Sequence, residues 1–442
     1  MFVGIVGSCS IMPSGSRPQA THENPFRLIV SPRHRADFSV FSNPAVAPSI
    51  AAAESADNTG PQAFTDAGEI DAIFRSLARQ SDAYCNALFT QNKFDAAQLE
   101  LIAPDRRALF IQNRHPDSLY SLLAGCRNFF EMNDVAPNRD FALVRALYPE
   151  AGFDCYSVGL LQPYIMHATL GCRRLTMIDI NWRILDFHRT LIRLTRAGAF
   201  PDASSVDDQL RGVELKFLAL QNDPLRARPA KVQNLCRPLQ HEYCAQILPD
   251  FQKVFTTRPP IAIELNLSTL HSGSYAPTNG ADQDDDWFTE TKAEHANGNA
   301  ARPIVRVIYL SNAIEESYTS RAEFVQLLEN LQRSALAQDQ SQEQIDVLIH
   351  HVGGWKLFGI YELQHAARQP ETRDAAPATL RTVCKDSYLS NSRGDGSGPV
   401  EYTTHFEAAR SGEFTQTTNA VIVSKITNVP TCAQLLQAQS SR

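Results

Sequence analysis

Long apolar runs are missing from this 442-residue chain: nowhere do 18 consecutive residues read as apolar, so no transmembrane segment is expected. A basic stripe is missing too. The 41 Lys and Arg are scattered among 48 Asp and Glu, and the net charge is −7. Neutralising a phosphate backbone needs clustered cations, so no nucleic-acid partner is expected. Glycine-rich signatures are scarce: there is no GxGxxG turn for a dinucleotide pyrophosphate, and no GxSxG elbow surrounds Ser157 or Ser311. No CxxC occurs, and Cys236, His241 and Cys244 in "CRPLQHEYC" lack a second ligand pair, so no metal site is expected. The RGD inside "SRGDGSG" reads as an exposed Asp-Gly and Ser-Gly turn rather than an adhesion motif.

What is present is a globular composition, 43% hydrophobic, in a chain long enough for a large core. At the start, Val6, Gly7, Ser8 and Cys9 look like the cleavage and lipidation site of a bacterial lipoprotein, but only six apolar residues and no charge precede it. Two readings stand: a lipoprotein whose true start lies upstream, or an accidental match. Residues 1–64, rich in Pro, Ala and Ser, read as a flexible N-terminal segment. Setting Cys9 aside leaves eight cysteines, an even number that permits disulfides in an oxidising compartment. If the protein is exported, Cys155 with Cys172 or Cys236 with Cys244 should lie close enough to bridge.

Residues 65–150 carry helical periodicity, with Ile70, Ile73, Leu77, Tyr84 and Leu88 in one stretch and Leu119, Leu122, Leu123 and Phe129 in another. They predict a helical subdomain. From residue 151 the character changes. Strands at about 153–158 and 174–180 each lead into a helix, "PPIAIELNLSTL" alternates as a third strand, and "PIVRVIYLSN" and "IDVLIHHVGGW" add two more. "VEYTTHFEAA" and "NAVIVSKIT" resemble a terminal strand pair. Alternating strands and helices predict an α/β domain over 151–442, a mostly parallel sheet flanked by helices, with a polar insertion near 271–302.

In "YSVGLLQPYIMHATLGCRRLTMIDINWRIL" a glycine follows the first strand and an acid ends the second, twenty residues later. On these residues the chain resembles the class I S-adenosylmethionine-dependent methyltransferases, which have a Rossmann-like sheet. The resemblance implies Gly159 beneath the methionine part of S-adenosylmethionine, Asp179 on the ribose hydroxyls with Asn181 beside it, and a terminal antiparallel strand. It implies methyl transfer to a small-molecule acceptor and a cytoplasmic location. The residues leave a second reading for each position. Asp179 at a strand end can cap the next helix, and Asn181 is a natural N-cap. Ser311 and Asn312, at the carboxyl edge of a later strand, are candidate substrate contacts or a turn-forming pair. His350 and His351 point to opposite faces by strand alternation, so only one can serve as a base in a shared cleft. Gly159 is followed by Leu160, Leu161, Gln162 and Pro163 rather than more glycines. That supports the alternative of a non-catalytic exported lipoprotein that keeps a degenerate Rossmann-like scaffold as a binding module.

Overall fold

The computed structural model describes residues 26–31, 61–90, 137–196, 261–268, 270, 303–311, 313, 314, 319, 321–337, 345–352, 357–365, 377–386, 421–423 and 428–440. Its centre is built from units in which a strand, a helix and a second strand follow one another. Strand β3 (Gly152–Ser157) leads through helix α3 (Gln162–Leu170) to β4 (Arg174–Asp179), and α4 (Trp182–Arg196) follows. Next come β5 (Ala262–Leu267), β6 (Ile304–Ser311), α5 (Arg321–Ala337) and β7 (Ile345–Val352). These five strands are all parallel, in the order β5-β4-β3-β6-β7. Antiparallel β8 (Leu357–Gln364) pairs with β7, β9 (Ala378–Asp386) pairs antiparallel with β8, and β10 (Val421–Val423) lies parallel to β9 at the edge. The protein is therefore α/β, with a mostly parallel sheet.

At the other edge, β1 (Arg27–Val30) lies parallel to β5, and β2 (Gln62–Phe64) closes the sheet antiparallel to β1. Both strands fall inside the stretch read as a flexible segment. The short run "RLIV" is apolar enough to pair and bury, and Leu28, Ile29 and Val30 all do so.

Strand alternation divides the interior into two layers. Phe153, Cys155, Leu175, Met177, Leu265, Val307 and Ile349 face one side. Helices α1 (Ala67–Thr90), α2 (Pro137–Leu147), α3 and α4 cover it with Phe74, Phe141, Tyr164 and Phe187 among others. Tyr156, Ile178, Ile308, Leu310 and Leu348 face the other side, where α5 supplies Phe324, Leu327, Leu328 and Leu331. The helices expected as a subdomain thus share the sheet's own core: Ile70, Phe74 and Leu77 of α1 and Phe141, Leu143 and Val144 of α2 belong to the same apolar cluster as β3 and β4. Asp71 of α1 also pairs with Arg189 and Arg193 of α4.

On the α5 side the strand starts carry a row of alternating charge. Arg174 stands opposite Asp154, Asp154 opposite Arg306, and Arg306 opposite Asp346, across β4, β3, β6 and β7. Arg306 donates twice to Asp346 at 2.5 Å, and also to Ser334 Oγ (2.5 Å) and the Leu331 carbonyl (3.2 Å). His365 Nε2 meets Asp346 at 2.7 Å while its Nδ1 meets Gln332 Oε1. Burying such charges is tolerable only because each is paired and hydrogen-bonded. A one-residue slip of either strand would turn a charge into the opposite apolar layer, so the row also specifies register.

Among the described residues two disulfides are present, Cys155–Cys172 and Cys384–Cys432, with Cα atoms 5.8 Å and 4.9 Å apart. The first ties β3 to the segment entering β4. The second ties β9 to the C-terminal helix α6 (Cys432–Ser440), whose start is fixed by a reciprocal capping box: Gln434 N–H donates to Thr431 Oγ1, and Thr431 N–H to Gln434 Oε1.

Several expectations fare differently. The parallel strands near 153–158, 174–180, 304–310 and 346–351 lie as expected. Of the terminal pair only part of "NAVIVSKIT" is described, as β10 beside β9, and the antiparallel strand beside β7 is β8. "VEYTTHFEAA", the second helical stretch before residue 137, the Cys236–Cys244 segment and the insertion at 271–302 lie outside the described residues. No described helix is long and apolar enough to cross a membrane.

Candidate functional site

Chain order reverses between β3 and β6: β4 and β5 are laid down on one side of β3, β6 and β7 on the other. In open α/β sheets the loops leaving the two central strands then diverge, and the crevice at their carboxyl ends is where ligands bind. That edge holds Gly159 after β3, Asp179 and Asn181 after β4, Ser311 at the end of β6, and His350 and His351 in β7.

Gly159 has φ +97°, a conformation that disfavours a side chain. The turn lies near Asp179, whose Oδ1 accepts the Asn181 N–H at 2.8 Å and whose pKa the nearby Gly159 and Ile180 backbone N–H groups also act to lower. The Gly159 carbonyl receives His188 Nε2–H at 3.1 Å. A carbonyl can only accept, so the neutral ring has Nδ1 as its acceptor, and Tyr164 O–H donates to it at 2.8 Å. Burial lowers the His188 pKa to about 4, which keeps the ring neutral.

The open side of the turn is filled. A Cβ added to Gly159 would lie 2.5 Å from Gln162 Oε1, so the Gln162 amide rests against the glycine. The same Oε1 accepts the Leu161 N–H at 3.1 Å, and Pro163 supplies no donor. Gln162 is 3% exposed. Protein atoms thus occupy the acceptor-seeking start of α3 that a ligand would approach.

Asp179 keeps part of its surface open, yet protein surrounds its carboxylate enough that burial pushes the pKa up to about 7, against the opposing pull of nearby backbone N–H groups. Asn181 is the N-cap of α4: its Oδ1 accepts the Arg183 N–H at 3.1 Å.

The remaining candidates separate. Ser311 has φ +50° at a register irregularity between β6 and β7 and is buried; Asn312 lies outside the described residues. The two histidines do face opposite layers. His351 Nε2 pairs with Asp140 of α2, and its ring lies 5.9 Å from that of Tyr309. His350 lies on the α5 side, 5.9 Å from the Tyr361 ring; burial, then His351 and Lys385, lower its pKa to about 3. Both are fully buried. Among the described residues, no group of three or more His, Cys, Asp or Glu could hold a metal.

His188, Tyr164, Gln162 and Asp140 were not among the residues expected from the sequence. His188 had a signal: it interrupts an apolar helical face made by Ile184, Leu185, Phe187, Leu191 and Ile192, where a polar residue needs a buried partner. A scan of family models and searches of curated proteins and solved structures each returned no match.

Proposed function

We propose that the protein is a non-catalytic, exported binding module for a small-molecule ligand, built on a Rossmann-like sheet whose cofactor turn has been closed. The observation that carries this reading is the pair of buried disulfides, Cys155–Cys172 and Cys384–Cys432. Such bonds persist in oxidising compartments, whereas S-adenosylmethionine belongs to the reducing cytoplasm. Export fits the lipobox-like Val6–Cys9, which would add a lipid anchor. The turn agrees, since Gln162 packs against Gly159.

A second reading keeps one observation in its favour. Asp179 and Gly159 adjoin at the carboxyl edge, and among the described residues no charged side chain acts on the carboxylate. An S-adenosylmethionine-dependent methyltransferase would use such a pair, with Asn181 beside the ribose, Ser311 and Asn312 as acceptor contacts and His350 or His351 as base. Thermal melting of the oxidised protein with millimolar S-adenosylmethionine or S-adenosylhomocysteine separates the two, because a ligand bound to the native state raises the melting temperature. No shift is expected. A saturable rise of several degrees would replace the binding-module reading with the methyltransferase.

A further inference from the structure

We propose that the Cys384–Cys432 disulfide is a redox latch on the C-terminal helix: a dithiol that reduces it releases α6 from the flank of the sheet, while the Cys155–Cys172 bond and the rest of the fold stay closed. The two bonds are enclosed unequally. Cys155 lies in β3, which is hydrogen-bonded to β4 on one side and β6 on the other. Cys172 follows α3, a helix buried along almost its whole length, and the next residue, Arg173, donates its N–H to the Phe153 carbonyl at 2.9 Å. Exposing that bond means lifting α3 off the centre of the core.

Cys384–Cys432 sits at a margin. β9 pairs with β10 only over Ala378–Leu380, so among the described residues its stretch 381–386 has β8 on one side and no strand on the other. Few contacts hold α6 there. Of its described side chains Cys432 alone is buried, Leu435 is half-buried, and Gln434, Gln437 and Ala438 are exposed. The capping box joins Thr431 to Gln434 within the helix's own first turn, so it does not fasten α6 to the sheet. A backbone bond from Lys385 N–H to the Pro430 carbonyl, at 3.2 Å, ties the approach to α6 to β9. Segments with few buried apolar contacts open locally at much less cost than the whole fold, so the two sulfurs, sealed in the closed state, become reachable when α6 lifts.

The exchange balances as two displacements. A thiolate of the dithiol attacks Cys384 Sγ, the S–S bond breaks, and Cys432 leaves as a thiolate that takes up a proton. The dithiol's second sulfur then attacks the mixed disulfide and releases Cys384, which is protonated in turn. The reagent ends as a disulfide, and the protein has gained two electrons and two protons. Detachment of α6 then uncovers Cys384, which belongs to the same apolar cluster as Ile360. The latch rests on the disulfides that also carry the exported-module reading.

Graded dithiothreitol, applied without denaturant to the oxidised full chain and followed by alkylation, peptide mapping and amide hydrogen exchange, tests it. Cys384 and Cys432 should be alkylated about tenfold or more faster than Cys155 and Cys172. The α6 amides should lose protection while those of β3, β4 and β6 keep it. Reduction of both bonds at one rate, reduction only with global unfolding, or an α6 that stays protected after its cysteine is alkylated would overturn the latch and leave the exported reading standing. If neither bond forms under oxidising conditions, both fall. Cys384→Ser combined with Cys432→Ser should show an unprotected α6 without any dithiol; should that variant fail to fold, graded reduction of the native chain decides alone.

Discussion

Cys155 of β3 and Cys172, which precedes β4, are joined across the shortest crossover in the sheet, 17 residues apart in sequence. The bond closes a loop around α3, so it acts chiefly on the unfolded chain. By loop entropy it should contribute about 3 kcal/mol, and the 48-residue Cys384–Cys432 loop about 4 kcal/mol. Non-reducing peptide mapping should recover both linked peptides, and Cys155→Ala with Cys172→Ala should lower the denaturation midpoint accordingly. Labelling of all four thiols in oxidatively purified, denatured protein would remove the main support for export.

Gly159 should tolerate no side chain. Gly159→Ala meets Gln162 Oε1 and also strains a backbone at φ +97°, so a loss of about 2–3 kcal/mol is expected. Adding Gln162→Ala relieves the contact but leaves the φ cost, and the double variant should recover only part of the stability. Additive losses in a double-mutant cycle would mean that Gln162 does not fill the turn.

The Arg306–Asp346 pair is fully buried, and against the upward push of burial Arg306, with His365, lowers the Asp346 pKa and favours its charged form. Asp346→Asn leaves the guanidinium and His365 facing a neutral amide. A loss of about 3–5 kcal/mol is expected in urea denaturation. A change under 1 kcal/mol would show that the charge row adds little.

Acid should act on this fold through opposed groups. His188 and His350, with pKa values lowered by burial to about 4 and about 3, take up protons more readily when unfolded. Their contribution is present above about pH 6.5 and is lost as pH falls toward 4. Asp179 has the opposite sign: its raised pKa favours the folded state below neutrality, a contribution lost as pH rises through about 7. Asp179→Asn removes that offset, so its stability should fall more steeply than the parent's between pH 6.5 and 4, by at least about 1 kcal/mol over the window. Equal slopes would show that Asp179 titrates as an ordinary carboxyl.

The sequence by itself determined the elements whose burial is periodic. The apolar face of α4, the alternation in β5 and the apolar runs of β3, β4, β6 and β7 were legible because one-sided or two-sided burial imposes periods of 3.6 or 2 on neighbouring residues. Gly159, Asp179 and the Asn181 cap were legible for the same reason, being punctuation between such runs. Strands β8 and β9 were not, since "LFGIYELQ" and "ATLRTVCKD" mix Gly359, Glu362, Arg381 and Lys385 into their pattern. β1 was missed because four residues carry too little period to stand out from a Pro- and Ala-rich stretch. Only the tertiary structure decided what each polar group serves. His188 finds Gly159 across 29 residues and His351 finds Asp140 across 211. Periodicity records that a side chain is buried; its partner is set by how the strands close in space, which no local window contains.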